Sequence, residues 1–231
     1  LDLDDGSYTF PDLLDDLSKL DIARIRFTTS HPKDFSDALI DVIAKRDNVM
    51  PYIHLPVQSG SDSVLKKMNR KYTKSEYLDL VNRIYAKIPE ASLTTDIIVG
   101  FPTETEEDFL ETMDLVKKAR FEGAYTFVYS PRKGTPAAKY ETTVTKDEAK
   151  QRLYRLNKLV NEGYLAGNKR FENKVVDVLV EGHSKTRDDV LSGYTPNNKL
   201  VNFKGDVSLI GQIVKVKIIK AKTWSLDGEL L

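Results

Sequence analysis

The stretch TTDIIVGFPTETEEDF, residues 94–109, decides the fold prediction, because an apolar run passes directly into a helical pattern. The run is rich in β-branched residues, as buried parallel strands are. It ends at Gly100 and Pro102, and acidic residues follow. Thr103, with Glu106 three residues later, predicts a capping box at the start of the helix. A strand that leads through a glycine into a helix is typical of parallel α/β proteins.

The same alternation extends over roughly the first 165 residues. Short apolar runs predict four buried strands, and amphipathic patterns predict the helices between them. Because this alternation favours a parallel sheet with right-handed crossovers, we expect a partial (β/α) barrel. The predicted strands are residues 24–29, 52–57, 93–100 and 124–130, and the predicted helices lie within 34–46, 75–88, 106–119 and 146–167.

The pattern changes after residue 166 to short strands that are separated by glycines. Several short strands at this spacing predict a small antiparallel β-barrel. We therefore expect two domains, residues 1–166 and 167–231. The strands of the second domain are predicted within residues 174–182, 190–195, 199–205 and 212–224.

The composition excludes several classes of protein. The 231 residues contain no cysteine, which excludes disulfides and iron–sulfur ligation by this chain, and the three histidines show no metal-ligand spacing. No apolar run approaches the roughly 20 residues that a membrane span needs. The acidic N-terminal stretch also lacks the pattern of a signal peptide. We expect a cytoplasmic protein without a membrane partner or a metal site.

The ends of the predicted strands are the candidate ligand site, since ligands of parallel α/β proteins bind at the carboxyl ends of strands. Each strand ends in polar or glycine-rich residues, at 30–32, 56–61, 100–104 and 129–131. We expect one rim that holds a small polar molecule such as a nucleotide. Arg70 could bind a carboxylate or phosphate of that molecule through two hydrogen bonds.

Simpler interpretations stay open for several of these residues. His54 and Asp96 could transfer protons, but buried, hydrogen-bonded side chains within strands would explain them as well. Turn chemistry alone would account for Gly100 and Pro102, and a helix cap would account for Ser61. No pairing of a nucleophile with a base is visible, so we predict no catalytic residue.

Two motifs of the chain closely resemble the radical S-adenosylmethionine methylthiotransferases. They are HLPVQSGSDSVLKKMNRKYT (54–73) and TTDIIVGFPTETEEDF (94–109). Three further segments are similar to one branch of that family. They are RIRFTTSHP (24–32), YSPRKGTPAAK (129–139) and the residues from 197 onward. That branch modifies tRNA by adding a methylthio group at C2 of N6-dimethylallyladenosine next to the anticodon. The resemblance implies that the full-length protein is a methylthiotransferase of this kind.

The resemblance also implies a cofactor, S-adenosylmethionine, bound at the strand ends. Gln58 and Ser59 would lie near its ribose and methionine part, and Arg70 would bind its carboxylate. Residues 98–101 would pass the adenine, which Tyr129 and Ser130 would contact through their backbone. The cofactor-binding residues assigned in this way are Gln58, Ser59, Arg70, Ile98, Val99, Gly100, Phe101, Tyr129 and Ser130.

The family carries two [4Fe-4S] clusters on cysteines that this chain lacks. A piece that begins after the first two strands of the barrel would explain the difference. We therefore expect this chain to be inactive by itself, and the full-length enzyme to require an electron donor.

The terminal domain resembles the TRAM module, which is associated with RNA binding in this family, so tRNA is the expected partner. Residues 168–231 contain 11 Lys and Arg against 8 Asp and Glu, a net charge of +3. Lysines that share one face of a strand would bind phosphates, although an ordinary solvated face would explain them equally well. Trp224 is predicted to lie in the core. The candidate RNA-binding residues are Lys199, Lys204, Lys215 and Lys217.

Other functions stay open at this point. A sister methylthiotransferase could act on threonylcarbamoyladenosine in tRNA or on a ribosomal protein, although the TTSHP motif (28–32) and the ending KTWSLDGEL (222–230) argue against both. A non-catalytic RNA-binding module and an unrelated barrel enzyme with a phosphate-bearing substrate are alternatives from different classes.

Overall fold

The computed structural model describes residues 6–28, 31–185 and 187–231, apart from the side chain of Asp188. The chain divides between Val160 and Asn161 into two compact units. This division falls inside a long helix, so the boundary predicted after residue 166 stays a prediction.

The first unit contains a three-stranded parallel sheet in the order β1-β2-β3, with helices between the strands. Each strand begins within one residue of its predicted start. Its helices bury apolar stripes, and the sheet buries residues such as Leu93, Ile97 and Val99 on one face. Its elements are α1 Phe10–Leu17, α2 Asp37–Lys45, β1 Tyr52–His54, α3 Asp62–Lys67, α4 Lys74–Lys87, β2 Ser92–Val99, α5 Glu106–Ala119 and β3 Ala124–Val128; α6 Lys146–Lys169 runs from this unit into the next.

The strand predicted at residues 24–29 is wrong over the described residues. Ile25 alone forms a bridge with Val49, and Thr29 lies outside the described part of the chain. The prediction assumed a buried strand, but Arg24 and Arg26 alternate with apolar residues, and no residue from 24 to 28 is fully buried. The described part of the first unit therefore has three strands rather than four.

The helix caps were predicted with mixed success. Ser61 caps α3, as predicted, because its hydroxyl accepts a hydrogen bond from the Val64 N–H. The capping box of α5 is formed by Thr105 and Asp108, so the prediction that used Thr103 is wrong. Thr103 instead adopts a left-handed backbone with φ of 72° before the helix begins.

The second unit is a closed five-stranded barrel in the order β4-β5-β6-β8-β7. All neighbouring strands are antiparallel except β6 and β8, which are parallel. Its core contains Val178, Leu191, Val201, Phe203 and Ile218, which are nearly inaccessible to solvent. The strands are β4 Val175–Ser184, β5 Arg187–Tyr194, β6 Leu200–Phe203, β7 Ile213–Ala221 and β8 Leu226–Leu230.

The small barrel was predicted with four strands, and the structure adds β8. This strand carries Asp227, Gly228 and Glu229 in succession, which is an unusual composition for a strand. Gly228 is required there, because a Cβ atom at this position would lie 2.4 Å from a Val216 methyl group. Glycine is rare inside strands, so the residue that permits the close approach of the two strands also made β8 hard to predict from the sequence pattern.

Candidate functional site

A cleft of about 990 Å³ lies at the carboxyl ends of β1, β2 and β3, within the first unit. This volume falls at the upper end of the range for small-molecule sites. Three of the four predicted strand ends contribute to it; of the fourth, the described residues His31 and Pro32 do not line the cleft, and Ser30 lies outside the described residues. The lining residues are Gln58, Lys66, Lys67, Met68, Asn69, Arg70, Asp96, Ile98, Phe101, Phe127, Val128, Tyr129, Ser130, Arg132, Thr135, Pro136, Ala137 and Tyr140.

Gln58 is held firmly at the floor of this cleft. Its N–H donates to the Asp96 carbonyl (2.8 Å), and its carbonyl accepts from the Ile98 N–H (2.9 Å). Its φ of 69° is uncommon for a residue other than glycine, asparagine or aspartate. Unfavourable backbone conformations of this kind cluster at functional sites, where the surrounding structure maintains them. These contacts hold the Gln58 backbone at the end of β1, where the residue lines the cleft.

Asp96 also lines the cleft, although the sequence pattern favoured a buried, hydrogen-bonded carboxylate there. Its side chain is 30% exposed, so the interpretation of a buried, satisfied carboxylate is wrong. His54 lies beside it, with Nε2 3.5 Å from Asp96 Oδ1, and its Nδ1 is 3.0 Å from the Thr94 hydroxyl. Alternation along β2 could have revealed this, since Thr94, Asp96 and Ile98 share one face of the sheet.

A buried ion pair supports the loop that follows β2. The Glu104 carboxylate accepts hydrogen bonds from Arg152 Nη1 (2.6 Å) and from the Gly100 N–H (2.8 Å) through the same oxygen. Burial raises the pKa of Glu104, and the Gly100 amide and the Arg152 guanidinium oppose that rise. The pair connects the end of β2 to α6, so it fixes the position of Phe101 in the cleft wall. Sequence patterns contain no signal for it, because its partners are 48 residues apart.

Tyr129 supplies the most informative polar atom of the cleft. Its backbone N–H binds the Val99 carbonyl (2.9 Å), and its ring packs edge-on against Phe101 with centroids 5.1 Å apart. Its hydroxyl is buried, yet it has no hydrogen-bond partner among the described residues. Buried polar groups in folded proteins nearly always have partners. An unpaired hydroxyl in the wall of a cleft is thus consistent with a ligand that supplies the missing hydrogen bond.

Replacement of Tyr129 by phenylalanine tests this interpretation. Removal of an unpaired buried hydroxyl is expected to leave the free energy of unfolding unchanged or to raise it by up to about 1 kcal/mol. If a ligand pairs with the hydroxyl, its affinity is expected to fall by about fivefold, the loss of one ordinary hydrogen bond. Urea denaturation and titration with S-adenosylmethionine measure the two quantities. Unchanged affinity would show that the hydroxyl does not contact the ligand.

The predicted cofactor residues divide into two groups. Gln58, Arg70, Ile98, Phe101, Tyr129 and Ser130 line the cleft together. Ser59 and Val99 are completely buried behind it, and the Ser59 hydroxyl lies 3.3 Å from that of Thr112. Gly100 has no room for a side chain, since a Cβ atom would lie 2.8 Å from that of Ala149. The roles of both groups in cofactor binding stay predictions.

These residues fit S-adenosylmethionine but not an iron–sulfur cluster. The cleft combines apolar walls with the carboxylate of Asp96, the amide of Gln58 and the guanidinium of Arg70. Together with the unpaired hydroxyl of Tyr129, this set suits a ligand that has an aromatic base, hydroxyls and a carboxylate. The chain has no cysteine, and the described residues contain no cluster of potential metal ligands. No step involving a cluster is therefore assigned to this chain.

The basic residues of the barrel unit differ from the sequence prediction. Lys199 is only 7% exposed, so the prediction that it offers an accessible phosphate contact is wrong. The Lys215 ammonium is 2.8 Å from the Asp177 carboxylate on β4, whereas Lys204 and Lys217 are exposed. Trp224, which was predicted in the core, is 70% exposed. The sequence could not reveal the burial of Lys199 or the exposure of Trp224, because both residues lie in segments between strands, whose packing no periodicity predicts.

Comparisons with known proteins agree with this architecture. Residues 5–116 match the Radical SAM superfamily, and residues 169–231 match the TRAM domain. The chain is 60% identical over 229 residues to the tRNA-2-methylthio-N(6)-dimethylallyladenosine synthase of Geobacillus thermodenitrificans (strain NG80-2), covering 99% of this chain and 44% of that protein. It is 58% identical over 230 residues to the enzyme of the same name from Bacillus subtilis (strain 168), covering 100% of this chain and 45% of that protein.

A solved structure shows the same fold at low sequence similarity. Coproporphyrinogen III oxidase of Escherichia coli, described as a radical SAM enzyme, superposes with a TM-score of 0.51 at 13% identity. The match covers 75% of this chain and 46% of the oxidase.

The fold, the cleft and the two domain matches define a radical SAM protein with a TRAM domain. Because these relatives are 58–60% identical to it along its whole length, the chain belongs to the radical SAM methylthiotransferase family. It spans less than half of the length of the curated relatives that it matches.

Proposed function

We propose that the protein to which this chain belongs methylthiolates C2 of N6-dimethylallyladenosine in tRNA. The identity of about 60% to relatives that bear the corresponding name supports this function. The single structural observation that carries it is the cleft at the strand ends, which brings Gln58, Asp96, Arg70 and Tyr129 together. S-adenosylmethionine bound there would supply the methyl group and the radical chemistry of the family.

Three polar side chains of the cleft have a role in this proposal. The Arg70 guanidinium binds the carboxylate of the cofactor through two hydrogen bonds, a geometry that a lysine cannot reproduce. Gln58 and Asp96 bind the ribose hydroxyls, because an amide and a carboxylate both accept hydrogen bonds from hydroxyl groups. Ile98 and Phe101 provide the apolar wall beside the adenine, next to the backbone of Tyr129 and Ser130.

The remaining parts of the proposal concern partners outside this chain. The barrel unit binds the tRNA substrate, and an electron donor and two [4Fe-4S] clusters serve the full-length protein. We also propose a cytoplasmic location, where tRNA is found. No helix in the described ranges is long and apolar enough to cross a membrane. Residues 1–166 and 167–231 are the proposed limits of the two domains.

Calorimetric titration of the chain with S-adenosylmethionine tests the cofactor site. We expect saturable binding, and we expect Arg70→Met to weaken it by about 10- to 100-fold, because a charged two-point contact is lost. Lys71→Met is the matched control, since Lys71 is the exposed neighbouring cation and does not line the cleft. The control is expected to bind as tightly as the unaltered chain. An absence of binding would support a barrel that serves only as a scaffold.

A further inference from the structure

A second cleft lies within the barrel unit, far smaller than the first. Its volume is about 250 Å³, which is below the range typical of pockets for whole small molecules. We call it the barrel cleft. Its lining residues are Ser184, Arg187, Val190, Asn202, Phe203, Lys204, Lys222, Asp227 and Gly228.

Strand pairing explains how the polar residues of the barrel cleft meet. Asn202 on β6 is paired with Asp227 on β8 in the one parallel pair of the barrel. Val201 and Phe203 point into the core, so Asn202 between them faces outward, and its register partner Asp227 shares that face. Arg187 begins β5, Lys204 follows β6 and Lys222 follows β7. Separate segments of the barrel therefore bring three cations to one place.

The charge balance of the barrel cleft favours an anionic ligand. Arg187 is paired with Asp189 (2.7 Å), and Lys222 is paired with Asp227 (2.6 Å). Lys204 has no ion-pair partner among the side chains that the structure describes, so these five residues sum to one positive charge. All four paired side chains are at least 36% exposed, and such ion pairs exchange readily for a phosphate.

The face of β7 that was predicted from the sequence offers less charge. Lys215 is paired with Asp177, and Lys217 lies opposite Glu229 of β8 in the strand register. Lys215 and Lys217 thus face two carboxylates, so these two lysines contribute no excess charge for a phosphate. Of the four lysines predicted to bind RNA, Lys204 alone lines the barrel cleft.

We propose that the barrel cleft binds a backbone phosphate of RNA together with its ribose. Arg187, Lys204 and Lys222 contact the phosphate, and the Asn202 amide, which both donates and accepts hydrogen bonds, contacts the ribose 2′-hydroxyl. Trp224 follows Lys222 by two residues and is 70% exposed, so its ring is available to stack on a neighbouring base. This inference rests on the proposed function in tRNA, and it names the site that the barrel uses.

Opposite charge changes at two residues that line the barrel cleft, Lys204 and Asp227, give the sharpest test. Binding of an unmodified tRNA transcript to the chain would be measured by fluorescence anisotropy at several salt concentrations. Lys204→Glu is expected to weaken binding by about tenfold and to reduce the salt slope by about 1. Asp227→Asn is expected to strengthen binding severalfold, because it releases Lys222 and removes a negative charge. Damage to the fold could not produce such a gain.

The double variant Lys215→Glu/Lys217→Glu is the matched control on the β7 face. We expect it to weaken binding less than the single change at Lys204 does. A larger loss from the double variant, or weaker binding by Asp227→Asn, would overturn the barrel cleft while leaving tRNA binding by the chain intact. If the unaltered chain bound no tRNA, the proposed function of the barrel would fail as well. Polyglutamate is the second probe. If it displaced the tRNA, and if Lys204→Glu weakened the binding of both ligands equally, the barrel cleft would be a site for acidic peptides rather than for RNA.

Discussion

Replacement of Arg152 by methionine is expected to lower the free energy of unfolding by about 3–5 kcal/mol at neutral pH. Methionine retains most of the apolar stem of the arginine, but it leaves the Glu104 carboxylate without its counter-ion in a site that is 2% exposed. Removal of one partner from a buried ion pair is costly because the other charge stays desolvated. Urea denaturation followed by circular dichroism measures the loss.

The size of this loss should depend on pH in a defined direction. Burial raises the pKa of Glu104 above its ordinary value of 4.5, and the loss of Arg152 raises it further. A carboxyl group with a raised folded-state pKa destabilises the protein as the pH rises through that pKa. The difference between variant and unaltered chain is therefore expected to be large at pH 7 and to shrink as the pH falls toward 4.5 and Glu104 becomes protonated.

A double variant separates the charge effect from lost packing. Glu104→Gln/Arg152→Met removes both charges, so it should be more stable at pH 7 than Arg152→Met alone. Equal stability of the single and double variants at that pH would contradict the assignment of the loss to an uncompensated carboxylate.

Replacement of Gly193 by alanine is expected to destabilise the barrel unit by about 3 kcal/mol. A Cβ atom at this position would lie 2.2 Å from the Leu179 carbonyl oxygen and 2.8 Å from a Val178 methyl group. Both neighbours belong to β4, the strand that pairs with β5, so the two strands would have to separate to admit the methyl group. Insertion of a methyl group into a closely packed site usually costs about 1–3 kcal/mol, and backbone contacts leave little freedom to relax.

Gly182 on β4 provides the matched control for this substitution. A Cβ atom there would meet no other atom within 4 Å, so Gly182→Ala is expected to be neutral or slightly stabilising. Hydrogen exchange of amides in β4 to β8 reports on the barrel unit separately from the first unit. Similar exchange rates for both alanine variants would show that the strands can accommodate the added methyl group.

The fold was largely predictable because its signals are local. The β-branched runs at 52–57, 93–100 and 124–130 each formed a strand, although shorter than predicted at most ends. The prediction of the α5 cap was wrong for a specific reason. Thr103 and Thr105 both have an acidic residue three positions later, so the sequence contains two candidate capping boxes. Only the left-handed backbone of Thr103, which the sequence does not announce, decides between them.

The candidate site was predictable only in part, because it depends on contacts between distant segments. Gln58, Phe101 and Tyr129 were placed at strand ends by the topology of a parallel sheet, and the structure brings them to one cleft. The unpaired hydroxyl of Tyr129 and the ion pair of Glu104 depend on side-chain packing, which no local pattern encodes. In the barrel unit, the burial of Lys199 shows that charge in a sequence does not establish exposure.

The parallel pairing of β6 with β8 has a consequence for biosynthesis. Among the described strands, residues 226–228 of β8 pair with residues 201–203 of β6 and close the ring, since β8 lies between β6 and β7. Until the ribosome has translated these residues, the nascent barrel has two open edges and unpaired backbone groups. Folding of this unit must therefore wait for translation of its last strand, whereas the segments of the preceding α/β unit are already available to fold.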